Sequence, residues 1–347
     1  MISHPLTEGV PLHHTSRRLI GGLLALGVTV GASACGADSA DTTSAGSAEG
    51  GWSFTDDLGT TVELDEAPTR IAGLNDLTAS LWNYGIEPVA TFGQTSAADD
   101  VAFEGRDLGD VAIVGSAYGE IDLEALAAAD PDVIVTTIYP DDASGGIPED
   151  KAGYGFNDMA QQELVAEIAP IITIAYTGSA ADVIERVVEL ADALGVDTGS
   201  GEVADARADF ESASAALTEA ASSGVSVLPV FATEADGWWM AKAPDDPQLA
   251  LYQDLGVTFV DPGGDGYFWH SVGWEEVPDH PSDVILYSLR FSMSPEEIAA
   301  QPTAALLPAV QAGQLHPWKY IGPDYVSQAA YMAELAGYLT EAQKVTS

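Results

Sequence analysis

Residues 179–224 read SAADVIERVVELADALGVDTGSGEVADARADFESASAALTEAASSG. Val183, Ile184, Val187, Val188, Leu190, Ala191 and Leu194 recur at helical spacing. Gly195 follows the last of them, where a glycine commonly ends a helix. A second helical run covers 201–221, with Phe210, Ala213, Leu217 and Ala220 on one stripe. Strand-and-helix segments of comparable size lie on either side. This order predicts an α/β protein of two lobes joined by a stiff helical connector, with a ligand cleft between them. The expected boundaries are 52–178 for the N-terminal lobe, 179–224 for the connector and 225–347 for the C-terminal lobe.

Outward from the connector, the first lobe shows short unbroken apolar runs such as 71–74, 86–92, 111–115, 133–137 and 171–175. Helical segments near 77–84, 121–129 and 161–168 alternate with them. Continuous apolar strands interleaved with helices indicate parallel sheets covered on both faces. The second lobe follows the same plan, with strands near 225–231, 257–260 and 283–287 and a closing amphipathic helix near 325–342. An internal pattern links the lobes. Glu124 stands eight residues before Asp132-Val133-Ile134, and Glu275 stands eight before Asp283-Val284-Ile285. Gly85-Ile86 and Gly256-Val257 precede these units. Two related lobes facing one cleft place ligands at the carboxyl ends of their strands.

The front of the chain has a different character. Arg17-Arg18, an apolar run from Leu19 to Val30, and small residues up to Ala34 form a signal peptide pattern over 1–34. The apolar run is shorter than the ~20 residues a membrane span needs. Cys35 is the single cysteine, so no intramolecular disulfide can form. Small residues directly before it resemble a bacterial lipobox, which implies lipidation at Cys35. Ala32 departs from the Leu usual in that motif. The pair Arg17-Arg18 also resembles a twin-arginine signal, and the export route stays open. The small polar residues of 35–51 read as a flexible tether. Eleven Lys and Arg against 54 Asp and Glu give a net charge of −43. That balance lacks the basic face that phosphate binding requires, which excludes nucleic acid. It fits a hydrated surface adapted to salt or to extracellular life.

Several segments together resemble the substrate-binding lipoproteins of ABC importers for ferric siderophores, haem and cobalamin. Pro68-Thr69-Arg70-Ile71 with Leu81, Gly85 and Pro88-Val89 is similar to that family's opening strand, helix and strand. Residues 121–124 through 131–134, Glu275-Glu276-Val277 with Asp283-Val284-Ile285, and 309–315 match further segments. The resemblance covers about 54–339. It implies two lobes bridged by a long helix, a shallow cleft, no catalysis and no resident cofactor. It also implies an ABC permease as partner, and the positions of Glu124 and Glu275 are those of the family's docking glutamates. A carboxylate in the first turn of a helix offsets the macrodipole, which is the plainer account of the same residues. A monomer outside the cytoplasmic membrane is expected.

A bulky iron chelate needs aromatic walls and a few polar anchors. Strand ends and the loops after them supply Tyr118, Tyr139, Trp238, Tyr267, Trp269, His270, Arg290, Trp318 and Tyr325 as candidate contacts. Aromatic side chains are also the natural filling of a core. Some hydroxamate-binding relatives carry an arginine at the position of Tyr118. His270 has the chemistry to complete an open iron shell. Arg186 and Arg207 lie on the connector and Lys344 near the end, leaving few cations for an anionic ferric catecholate. A neutral or cationic hydroxamate-type chelate is therefore favoured, with haem and cobalamin as alternatives. A bare metal ion would need three or four His and carboxylate ligands, but only His270, His280 and His316 follow the signal segment. A secreted enzyme would need a catalytic motif; no Gly-x-Ser-x-Gly, His-Glu-x-x-His or phosphate loop is present.

Overall fold

The structure, a computed structural model, describes residues 51–346 apart from 142, 236, 291 and 321. The expected signal peptide, Cys35 and the tether up to residue 50 lie outside the described residues.

The chain opens with β1 (Trp52–Thr55) and β2 (Thr61–Leu64), an antiparallel hairpin. The Asp56 carboxylate closes its turn by accepting the N–H groups of Leu58 and Thr60 at 3.0 and 2.8 Å. Its other oxygen accepts from Thr173 N, which ties the hairpin to the sheet. The first lobe continues through β3 (Ile71–Leu74), α1 (Asn75–Asn83), β4 (Ala90–Phe92), β5 (Ala112–Ile113), α2 (Leu123–Ala128), β6 (Val133–Ile138), α3 (Met159–Ala166) and β7 (Ile171–Ala175). Its five strands run parallel in the order β5-β4-β3-β6-β7. The unbroken burial of β3 and β6 is what a sheet covered on both faces requires. At Gly73 a Cβ would stand 2.2 Å from Val135 O, so only glycine admits this approach of β3 to β6.

Two helices follow, α4 (Ala180–Ala193) and α5 (Gly201–Ala221). Ser179 and Asp182 form a capping box at the start of α4. The apolar face of α4 packs into the first lobe's core with Ile172 and Ile174. Only α5 is shared along its length. Val203 and Ala206 join the first lobe's core, Ala213, Leu217 and Ala221 the second's, and Phe210 touches both. At 21 residues it is roughly 30 Å long, enough to span two lobes. The structure thus assigns most of the expected connector's first half to the N-terminal lobe.

The second lobe comprises β8 (Ser226–Thr233), β9 (Gly237–Ala241), α6 (Pro247–Asp254), β10 (Thr258–Phe259), β11 (Trp269–Val272), β12 (Val284–Ser288), α7 (Pro295–Ala300), α8 (Pro308–Gln311), β13 (Leu315–Trp318) and α9 (Tyr325–Glu341). Its six-stranded sheet has the order β11-β9-β8-β12-β13, with β10 also on β8. Strands β8, β12, β13 and β10 are mutually parallel, while β9 and β11 are antiparallel additions. The second lobe therefore does not simply repeat the first. Trp238, Trp269 and His270, expected at strand ends or in the loops after them, lie within β9 and β11.

The internal pattern has a physical counterpart. Asp132 accepts from Thr69 N, Arg70 N and Thr69 Oγ1 just ahead of β3. Asp283 accepts from Ser226 N and Oγ at the start of β8. Each aspartate fixes the register of the strand it precedes against a parallel neighbour.

A second tie joins the lobes at the start of α9, which lies along α5. Its N-cap Asp324 is fully buried and accepts from Ser80 and Asn83 of α1 at 2.9 and 3.0 Å. Gly322 makes this possible, since a Cβ there would come within 2.3 Å of Ser80 Oγ.

Candidate ligand-binding cleft

The carboxyl ends of both sheets open onto one cavity of about 500 Å³ between the lobes. From the first lobe, Gln94 follows β4, Tyr139 and Pro140 follow β6, and Tyr118, Lys151 and Tyr154 project from loops. From the second come Phe231 on β8, Trp239 on β9, Trp269 on β11, Ser288 at the end of β12 and Arg290 just beyond it, and Trp318 at the end of β13 with Tyr320 just beyond it. Asp245, Tyr267 and Phe268 complete the rim.

Aromatic rings run without a break from one lobe to the other. Tyr118 meets Tyr154 at 5.4 Å between centroids, Tyr154 meets Tyr139 at 4.8 Å, and Tyr139 meets Tyr176 at 4.9 Å. Tyr176 and Tyr320 are 6.4 Å apart, Tyr320 and Trp318 6.1 Å, and Trp318 and Trp269 6.1 Å. The Tyr320 hydroxyl donates to that of Tyr139 across the lobes at 3.4 Å. Burial pushes the phenols of Tyr139, Tyr154, Tyr176 and Tyr320 above the ordinary tyrosine range. At neutral pH they are phenols, able to stack and to donate, and not phenolate ligands.

The rim loop ahead of β11 is pinned from below. Lys242 Nζ donates to Gly264 O at 2.6 Å and also to Gly266 O. Phe268 holds φ +65°, a strained conformation for an aromatic residue. Its N–H donates to Asp245 Oδ2 at 3.1 Å and its carbonyl accepts Lys242 N at 2.7 Å. These bonds hold the strain and present Tyr267 and Trp269 at the cleft. A Cβ at Gly145 of the first lobe would stand 3.1 Å from the Tyr267 ring, so the two rims meet there.

Arg290 is the guanidinium of the cleft wall. It lies 5.0 Å over the Tyr320 ring, a cation–π distance. Nη1 donates to Asp76 Oδ2 at 3.2 Å, Nη2 donates to Asp76 Oδ1, and Asp100 Oδ1 stands 3.6 Å away. Both carboxylates belong to the first lobe. The side chains are 15% (Arg290), 7% (Asp76) and 4% (Asp100) exposed, so the set is an ion pair in a poorly solvated place. Burial works against the arginine's charge, but Asp76 and then Asp100 outweigh it and hold the guanidinium protonated. Beneath the floor, Asp246 caps α6 by accepting Leu249 N at 2.8 Å. Burial raises its carboxyl to about 7.

Of the residues expected from sequence, Tyr118, Tyr139, Tyr267, Trp269, Arg290 and Trp318 stand on the cavity wall. Three are corrected in place. Trp238 points to the opposite face of β9, fully buried against Trp274 at 5.9 Å; its neighbour Trp239 takes the cleft side. His270 alternates with Trp269 on β11 and likewise faces away, its ring 6.0 Å from that of His280. Tyr325 is buried at the start of α9, with its hydroxyl donating to Glu185 at 2.5 Å and its ring 5.3 Å from Phe210. Two-residue alternation along a strand decides the first two. Gln94, Lys151, Tyr154, Phe231, Asp245, Ser288 and Tyr320 were not anticipated. The strand-end rule alone points to Gln94, Phe231 and Ser288. Glu124 and Glu275 are both exposed. Glu124 lies in the first turn of α2 behind the N-cap Asp122, whereas Glu275 lies in a turn ahead of a short 3-10 segment, so the macrodipole account covers Glu124 only. Among the described residues no group of three or more His, Cys, Asp or Glu stands together to hold a metal ion.

Two α/β lobes, a shared helix and a cleft at the strand ends define a two-lobed binding protein of the periplasmic type. A family model described as periplasmic binding protein matches residues 90–320, and the chain belongs to that family, whose members bind substrates and are not enzymes. Among solved structures it is similar to DesE, a ferric-siderophore receptor protein from Streptomyces coelicolor, at 31% identity and TM-score 0.75. That match covers 85% of this chain and 100% of the other. YclQ, a petrobactin-binding protein from Bacillus subtilis, shares the fold at 17% identity and TM-score 0.63, covering 84% and 99%. PiuA, an iron uptake ABC transporter substrate-binding protein from Streptococcus pneumoniae, does so at 22% and 0.62, covering 84% and 100%. Curated proteins give no match.

Proposed function

We propose that this protein captures a ferric siderophore of hydroxamate type outside the cytoplasmic membrane and delivers it to an ABC permease. The observation that carries this reading is the aromatic lining from both lobes, with neutral phenols, around a cavity of about 500 Å³. Such a wall stacks on a chelate that already surrounds its iron, and it offers no shell for a bare ion. The description of DesE as a ferric-siderophore receptor supports the ligand class. Three hydroxamates leave ferric iron without net charge, whereas three catecholates leave it strongly negative. Arg290 is paired with Asp76, and Lys151 is the other basic side chain lining the cavity, which is little positive charge for a polyanion and favours the hydroxamate.

Delivery would use Glu124 and Glu275, one exposed carboxylate from each lobe, against basic pockets of the permease. Lipidation of Cys35 would hold the protein at the membrane, with 36–51 as tether. Mass spectrometry of the membrane-bound protein tests the anchor, and Cys35→Ala should release the protein into the medium. The ligand is tested by tryptophan fluorescence, titrating with a ferric hydroxamate, a ferric catecholate, haemin and cobalamin. Saturable quenching by the hydroxamate at sub-micromolar concentration is expected. Quenching by haemin or cobalamin alone would reassign the ligand, and a flat response to all four would refute the proposal.

A further inference from the structure

We infer that Asp76 and Asp100 set the charge preference of the cleft. They neutralise Arg290, so the site accepts neutral or cationic chelates and turns away polyanionic ones. This rests on the proposal that the cleft binds ferric chelates, and it assigns the selectivity to residues outside the cavity wall.

An arginine on a ligand-facing wall ordinarily recognises anions through its fork of N–H donors. Here both terminal nitrogens face Asp76, and Nη2 also approaches Asp100. One cation against two carboxylates leaves the set net negative. Asp100 cannot turn away easily. Its Oδ2 accepts from Asn75 Nδ2 at 3.0 Å, and its Oδ1 accepts from Ala102 N at 3.1 Å. Asp76 sits in the first turn of α1, directly after β3, where its backbone is fixed by the sheet. An anionic chelate over Tyr320 therefore meets a buried negative charge behind the guanidinium. Asp245 on the rim adds another acidic group, and Lys151 is the remaining basic side chain of the wall.

A purely structural role, with Asp76 and Asp100 only fastening Arg290 between the lobes, predicts that their loss affects every ligand alike. A charge filter predicts a change in ranking. At an effective dielectric of about 20 and roughly 8 Å, one unit charge acts on another by about thirtyfold in an equilibrium constant. Screening at the open mouth reduces this to about tenfold.

The test compares the full chain with Asp100→Asn, using a neutral ferric trihydroxamate and an anionic ferric tricatecholate, with a thermal melt of each protein. Asparagine keeps the cap on Ala102 and removes the charge, giving up the acceptor for Asn75 Nδ2, a loss that the melt reads and that bears on both chelates alike. The tricatecholate is expected to gain about tenfold in affinity while the trihydroxamate stays within about threefold. Asp76→Asn is read in the same way, so a folding failure in one variant leaves the other. Equal changes for both chelates, or no gain for the tricatecholate, would overturn the inference while leaving the functional reading intact. No binding of either chelate to the unmodified protein would overturn the functional reading, and the inference with it.

Discussion

Replacing Arg290 by methionine isolates what the ion pair contributes. Methionine fills similar space and removes the cation, leaving Asp76 and Asp100 as two buried carboxylates without a countercharge. Removing one member of a buried pair costs about 3–5 kcal/mol. Arg290 keeps 15% exposure, which places the loss near the lower end, about 3 kcal/mol. For a chain of this size that lowers the melting temperature by roughly 5–10 °C. The sign of the pH dependence follows from Asp76. Burial raises its carboxyl above the ordinary value, and Arg290 draws it back down. Without the arginine it rises further. A carboxyl raised in the folded state stabilises that state when protonated, and this contribution is lost as pH rises through the folded value. The deficit of the variant is therefore largest at neutral pH and shrinks on acidification. Urea unfolding of the ligand-free protein at pH 7 and pH 5 measures both quantities. A loss below about 1 kcal/mol at pH 7, or one that does not shrink at pH 5, would refute a buried ion pair between the lobes. Replacing Asp76 and Asp100 by Asn in the same variant should recover much of the loss.

Truncating Trp269 or Tyr320 to Ala should weaken ferric hydroxamate binding by about thirtyfold, as loss of a central aromatic contact does. His270→Ala should stay within about twofold of the parent, because His270 faces away from the cleft; fluorescence titration reads all three. Gly322→Ala should destabilise by about 1–3 kcal/mol, since its Cβ would meet Ser80 Oγ at 2.3 Å and Asp76 O at 2.8 Å. Gly337→Ala in α9, with open space around the new Cβ, should instead stabilise by about 0.5–1 kcal/mol in the same unfolding assay. Asp246, raised to about 7 by burial, stabilises the fold while protonated and loses that contribution as pH rises through about 7. Asp246→Asn keeps the cap on α6 and should flatten the decline in melting temperature between pH 5 and pH 8.

Much of this architecture is legible in local sequence because local physics fixes it. The apolar spacing of 183–191 forms a helix wherever a surface is available to cover it. The unbroken run 133–138 demands a sheet buried on both faces. Asp132 and Asp283 are recognisable as a pair because each anchors a parallel strand by accepting backbone N–H groups. Strand ends also point to Tyr139 and Arg290 on the cleft wall.

The sequence by itself could not say which face of a strand meets the ligand. Trp238 and Trp239 are the same residue type one position apart, and only the pairing of β9 with β8 and β11 sends one into the core and the other to the cleft. Nor could it say that Arg290 spends its charge on Asp76, 214 residues away in the chain. Composition and periodicity determine which segments form helices and strands, since those depend on neighbours within a few residues. Which side chains converge, and whether a charge is free or paired, depends on long-range packing of the two lobes, and the tertiary structure alone decides that.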